Sequence, residues 1–161
     1  MFSINEILDM AIRLERNGEA VYRNAIRQIS EPQLVSLLKW MADEEVQHAE
    51  WFSELKKKLA ARPQNPIGEE MSRKLFKDLL GEQSFSLQDT DFSQVYRIND
   101  LIAIFIEFEK DTVLFYEMLE SFIENEETLR QLKEIIAEEN RHIERLKEFL
   151  EKEVEATPDN S

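Results

Sequence analysis

Apolar residues recur along the chain at steps of four and three, the spacing that keeps side chains on one face of an α-helix. From Ile4 the steps fall on Leu8, Ala11, Glu15, Gly18, Tyr22, Ala25 and Ile29, and from Leu34 on Leu38, Met41, Glu45, His48, Phe52 and Leu55. A third series runs Ile98, Ile102, Phe105, Glu109, Thr112, Tyr116, Leu119, Ile123, and a fourth runs Thr128, Leu132, Ile135, Glu139, His142, Leu146, Phe149. Four long helices are predicted, near residues 4–29, 31–60, 98–123 and from the "ENEE" break to about Lys152. Ser3 with Glu6, and Ser30 with Gln33 and Pro32, have the spacing of helix starts.

The polar interruptions repeat. Glu15 and Glu109, Tyr22 and Tyr116, Glu45 and Glu139, His48 and His142 are each separated by 94 residues, so the chain is a helical hairpin written twice. Short turns make each pair of helices antiparallel, and two such hairpins predict a four-helix bundle. Residues 61–97 are the crossover, with a short helix expected between Met71 and Gly81. The reading is one domain over residues 1–152 and a flexible tail over 153–161. The third helix is apolar beyond its seam, and the expected cover is the crossover helix together with a second copy of the chain, a homodimer.

Composition supports helices over sheets: 161 residues contain only 3 Gly and 4 Pro. The absence of cysteine excludes disulfides, thiolate metal sites and thiol nucleophiles. A net charge of −14 opposes binding to nucleic acid or to an anionic membrane. No secretory leader or membrane-spanning run is recognisable, which predicts a cytoplasmic protein.

Seam positions face the interior, so four carboxylates and two imidazoles are expected at one level of the core. Ionised carboxylates there lose hydration and repel one another, and they must take up protons or cations. Two divalent metals would balance four Glu, leaving His48 and His142 as neutral ligands. Glu and His three residues apart share a helical face and can offer one metal an oxygen and a nitrogen. Such mixed ligation suits iron or manganese. Glu44, Glu138, Glu19 and Glu107 fall off the stepping and are expected in solvent. Tyr22 and Tyr116 have two readings, filling the core or donating to the ligand carboxylates. Gly18 and Thr112, one turn after Glu15 and Glu109, are expected to leave room for a small oxidant, and close helix packing is an equal reading of Gly18.

"RLERNGEAVY", "ADEEVQHAEWF", "IEFEKDTVLFY" and "IIAEENRHIERL" resemble, in order, the four ligand segments of the ferritin-like di-iron carboxylate superfamily, and more closely the rubrerythrin-type domain. The resemblance implies a ferritin-like bundle with Glu15, Glu45, His48, Glu109, Glu139 and His142 as ligands of two iron ions. It also implies an oxidoreductase reacting Fe²⁺ with O₂ or H₂O₂. An iron-binding or storage protein without turnover and a di-manganese, catalase-like enzyme are the alternatives. Rubrerythrins that reduce peroxide carry a cysteine-bound iron in a rubredoxin module. A chain without cysteine therefore needs a separate electron-donor protein. They also use an extra Glu one turn after the third helix's ligand, a place Thr112 takes here.

Overall fold

The computed structural model describes residues 4–60 and 98–156, and these are helical apart from two short connections. The helices are α1 (Ile4–Ile26), α2 (Pro32–Ala60), α3 (Ile98–Glu120) and α4 (Glu126–Ala156). The chain separates into two compact units, one holding α1 and α2 and the other α3 and α4. The expected helix at residues 71–81, the Ser3 cap and the last residues of the tail lie outside the described segments.

In the first unit α1 and α2 pack antiparallel. Lys56 Nζ, late in α2, donates to Asp9 Oδ1, early in α1, at 2.5 Å. Toward the turn, Arg23 Nη2 donates to Asp43 Oδ1 at 3.0 Å, and Arg23 Nε donates to Glu19 Oε2 at 3.1 Å. Partly exposed pairs of this kind contribute only about 0–1 kcal/mol each, so the two that join α1 to α2, Lys56 with Asp9 and Arg23 with Asp43, set the register more than the stability. The apolar seam holds the hairpin: Leu8, Ala11, Tyr22, Leu34, Leu38, Met41 and Phe52 are all fully buried. A buried Leu or Phe side chain contributes roughly 1.5–3 kcal/mol relative to exposure, well above any of the surface pairs.

The second unit repeats the plan with bulkier filling. Ile102, Phe105, Tyr116, Leu132 and Leu146 are fully buried on the seam. Off the seam of α3, Ile106, Phe108, Val113 and Phe115 are also buried, whereas Leu114 is 49% exposed. Leu101, Ile104 and Met118 are half-buried, and the crossover expected to cover α3 lies outside the described residues.

The helix ends differ from the expected ones, each for a local reason. α1 stops at Ile26 rather than Ile29, because Arg27 N–H and Gln28 N–H turn back to the carbonyls of Asn24 and Ala25, three residues earlier. That tightening is how a helix end satisfies its last carbonyls. α3 ends at Glu120 rather than Ile123 in the same way, with Ser121, Phe122 and Ile123 bonded to Met118, Leu119 and Glu120. α2 begins one residue late for a Ser30 cap. The Glu31 carbonyl takes the first helical bond, from Val35 N–H at 3.0 Å, and Pro32 occupies the first turn, where its missing N–H costs nothing.

α4 has a sharp start that the "ENEE" stretch did not suggest. Asn125 Oδ1 accepts from Thr128 N–H at 2.9 Å while its carbonyl accepts from Leu129 N–H at 2.9 Å, the two bonds of an N-cap. Glu126 and Glu127 follow in the first turn, where negative charge opposes the helix dipole favourably. α4 continues past Lys152 to Ala156, one residue before Thr157, whose following Pro158 disfavours helix.

Candidate metal centre

The stepping of four and three puts a polar side chain in the middle of each apolar seam, and all six are buried: Glu15, Glu45, His48, Glu109, Glu139 and His142. Each hairpin gathers its own three. In the first, α1 supplies Glu15 and α2 supplies Glu45 and His48, and one donor atom from each lies within 4.8 Å of the others. His48 Nδ1 stands 3.5 Å from Glu15 Oε2. In the second, α3 supplies Glu109 and α4 supplies Glu139 and His142, again with donor atoms within 4.8 Å of one another. His142 Nδ1 is 3.2 Å from Glu139 Oε2 and 3.5 Å from Glu109 Oε1. The separation of three residues on α4 thus brings the carboxylate and imidazole together directly, as neighbours one turn apart must be.

Electrostatics in the second cluster show what burial costs without a cation. The Glu109 carboxyl is pushed up from 4.5 to about 8, first by loss of hydration, then by repulsion from Glu139 and a hydrogen bond shared with it. The neighbouring His142 pulls the other way but does not win. A hydrogen bond between two carboxyl groups requires a proton on one of them, so the cluster holds at neutral pH a proton that a bound cation would displace.

The donors fit a metal. Bonds from a divalent transition metal to carboxylate oxygen or imidazole nitrogen are about 2.0–2.2 Å, so two donors on one ion are at most about 4.4 Å apart. Groups already within 4.8 Å need only a slight contraction. Oxygen and imidazole donors without thiolate match iron or manganese.

Neighbouring acids divide as the seam requires. Glu107 is exposed and Glu19, Glu44 and Glu138 are half-buried, and none of the four joins either cluster. Tyr22 and Tyr116 are fully buried two turns beyond Glu15 and Glu109. Gly18 is buried one turn after Glu15. Thr112 is buried too, but its Oγ1 donates to the Phe108 carbonyl at 3.0 Å, a bond to its own helix that fixes the hydroxyl. The sequence pattern had marked Thr112 only as a small residue. A Thr inside a helix, four residues after an available carbonyl, was the signal for this second role.

Comparison with known proteins agrees with these observations. A family model described as Rubrerythrin matches residues 6–150. A solved structure of a ferritin-like diiron-carboxylate protein from Thermotoga maritima superposes with a TM-score of 0.71 at 22% identity, covering 94% of this chain and 97% of that one. At that identity the likeness establishes the fold, the all-α four-helix bundle expected from paired hairpins and of the ferritin-like kind that the resemblance implied. No curated protein sequence matches the chain. No helix among the described residues is long and apolar enough to cross a membrane. With the family model spanning nearly the whole chain and both hairpins carrying their Glu, Glu and His in the interior, the protein is a member of the rubrerythrin family.

Proposed function

We propose that Glu15, Glu45 and His48 join Glu109, Glu139 and His142 in holding two iron ions, and that the protein is a non-haem di-iron oxidoreductase acting on Fe²⁺ with O₂ or H₂O₂. The observation that carries this reading is the pair of buried three-residue clusters at equivalent places in the two hairpins. A likeness to a ferritin-like diiron-carboxylate protein supports iron over other metals.

When bound, paired iron supplies the electrons that reduce the oxidant. The chain's residues do the rest. Four carboxylates offset four positive charges, so both imidazoles bind neutral and the interior carries no net charge. Glu109, which holds a proton at neutral pH in the metal-free chain, gives it up when a cation enters. Phe52, Phe105 and Leu146 beside the clusters are fully buried and exclude water. A long helical side chain leans toward the preceding turns, so Tyr22 and Tyr116 lean toward Glu15 and Glu109, and their hydroxyls orient those carboxylates.

The test is anaerobic loading with ferrous iron, elemental analysis, and rapid mixing with O₂ and separately with H₂O₂. The expected result is two irons per chain, oxidised faster than free Fe²⁺ by at least one oxidant. Binding without accelerated oxidation would favour storage, and preferential manganese uptake with peroxide disproportionation would favour a catalase-like enzyme. Tyr22→Phe and Tyr116→Phe should each weaken iron binding or turnover by about 10–100-fold if the hydroxyls orient ligands, and leave both unchanged if the rings only fill space. The homodimer expected from the apolar sides of α3 would show in light scattering as twice the chain mass.

A further inference from the structure

A buried redox centre needs a route for electrons, and in a protein without cysteine Trp and Tyr are the side chains that pass single electrons most readily. Among the described residues these are Tyr22, Trp40, Trp51 and Tyr116. Both tyrosines are fully buried, so neither meets a reductant in solution. The two tryptophans on α2 differ in their relation to the ligands.

Trp40 is 37% exposed and lies five residues before Glu45. Because long helical side chains lean toward the N-terminus, Trp40 leans away from the cluster. Trp51 lies three residues after His48, about 4.5 Å along the axis and on an adjoining line of the helix surface. The same lean carries its indole back toward the turn that holds His48. Trp51 is half-buried, so one part of the ring reaches solvent. The other part packs on the fully buried Phe52, with ring centroids 5.0 Å apart at 78°. His48 in turn is 3.5 Å from Glu15.

We propose that Trp51 is the electron-entry residue of the first hairpin, passing electrons one at a time from a small reductant in solution to the cluster at His48. The proposal rests on the di-iron reading above. With H₂O₂ as oxidant and ascorbate as reductant, each passage takes one electron from the indole on its inner side and returns one from ascorbate at the solvent edge, leaving tryptophan unchanged. Two passages serve one peroxide. The ascorbate anion loses two electrons and one proton to become dehydroascorbate, solvent supplies the second proton, the O–O bond breaks, and two waters form.

The test is a map of oxidative damage. Iron-loaded protein is treated with H₂O₂ without reductant, digested, and its tryptophans examined by mass spectrometry, beside a metal-free control. Oxygen should be incorporated at Trp51 ahead of the more exposed Trp40 in the loaded protein, ascorbate should suppress it, and the control should follow exposure, with Trp40 first. A pattern identical with and without iron, or Trp40 first in both, overturns the relay. As a second measurement, Trp51→Phe, which keeps an aromatic ring in place, should slow ascorbate reduction of the oxidised, iron-loaded protein at least severalfold, while Trp40→Phe should leave it unchanged. Equal rates would overturn the proposal. Failure to bind iron by elemental analysis would overturn the functional reading and the relay with it, whereas iron bound with the wrong damage pattern would overturn the relay alone.

Discussion

The two hairpins carry the same chemistry on different packing. Glu15, Glu45 and His48 recur as Glu109, Glu139 and His142, yet one turn before the α1 ligand stands Ala11 where α3 has Phe105. Leu14 answers to Phe108, Gly18 to Thr112, and Val21 to Phe115, so α3 surrounds its Glu with far more side-chain volume than α1 does. The turns diverge as well, Glu31 with Pro32 starting α2 and Asn125 starting α4. Position along the helix therefore fixes the ligands, while the filling only has to be apolar and of suitable volume.

The sharpest way to break that comparison is to exchange the filling. Phe105→Ala opens a cavity in the crowded hairpin and should cost about 3–5 kcal/mol in denaturant unfolding. The converse, Ala11→Phe, overpacks the sparse one and should cost about 1–3 kcal/mol. Near-zero cost for both would mean that the hairpins pack alike after all.

Removing the metal probes what they share. A ligand at 100 to 1,000 times its dissociation constant stabilises by about 2.7–4.1 kcal/mol. At roughly 2–4 °C per kcal/mol for a chain of this size, chelation should lower the melting temperature by about 10 °C. Glu45→Ala and Glu139→Ala should each reduce bound metal, and a loss from only one variant would show unequal hairpins.

The metal-free chain should also depend on pH through Glu109. Folded, this carboxyl keeps its proton up to about pH 8, whereas unfolded it releases it near the ordinary value of 4.5. Between these values the folded state binds more protons, so its stability falls as pH rises across the window. Metal affinity moves oppositely, because ligands must be deprotonated. Thermal melts at several pH values, with and without metal, should cross in slope; Glu109→Gln should flatten the metal-free curve.

Smaller effects concern the ends and the flanks. Asn125→Ala removes the cap of α4 and should cost about 1 kcal/mol. Glu44→Ala and Glu138→Ala should change stability by no more than about 0.5 kcal/mol and leave metal content intact.

Much of this was legible before coordinates, because a helical seam is a one-dimensional pattern. Every seam residue from Leu8 to Tyr22, Leu34 to Leu55, Ile102 to Leu119 and Leu132 to Leu146 is buried. Helix ends were less legible, since a closing turn such as that after Ile26 or Glu120 has the same side-chain spacing as the helix it ends. The two acids after Asn125 are the sequence signal of its cap, one that the apolar stepping does not carry. On α3 apolar residues occupy nearly all sides, so periodicity could not separate the exposed Leu114 from the buried Val113 and Phe115 beside it.

Glu45 with His48, and Glu139 with His142, each hang from one uninterrupted rod. Exchanging the residues around them leaves their bearing unchanged, but adding or dropping a single residue between them would swing one donor by about 100° about the axis. Variation in such a protein is thus free in letters and confined in length.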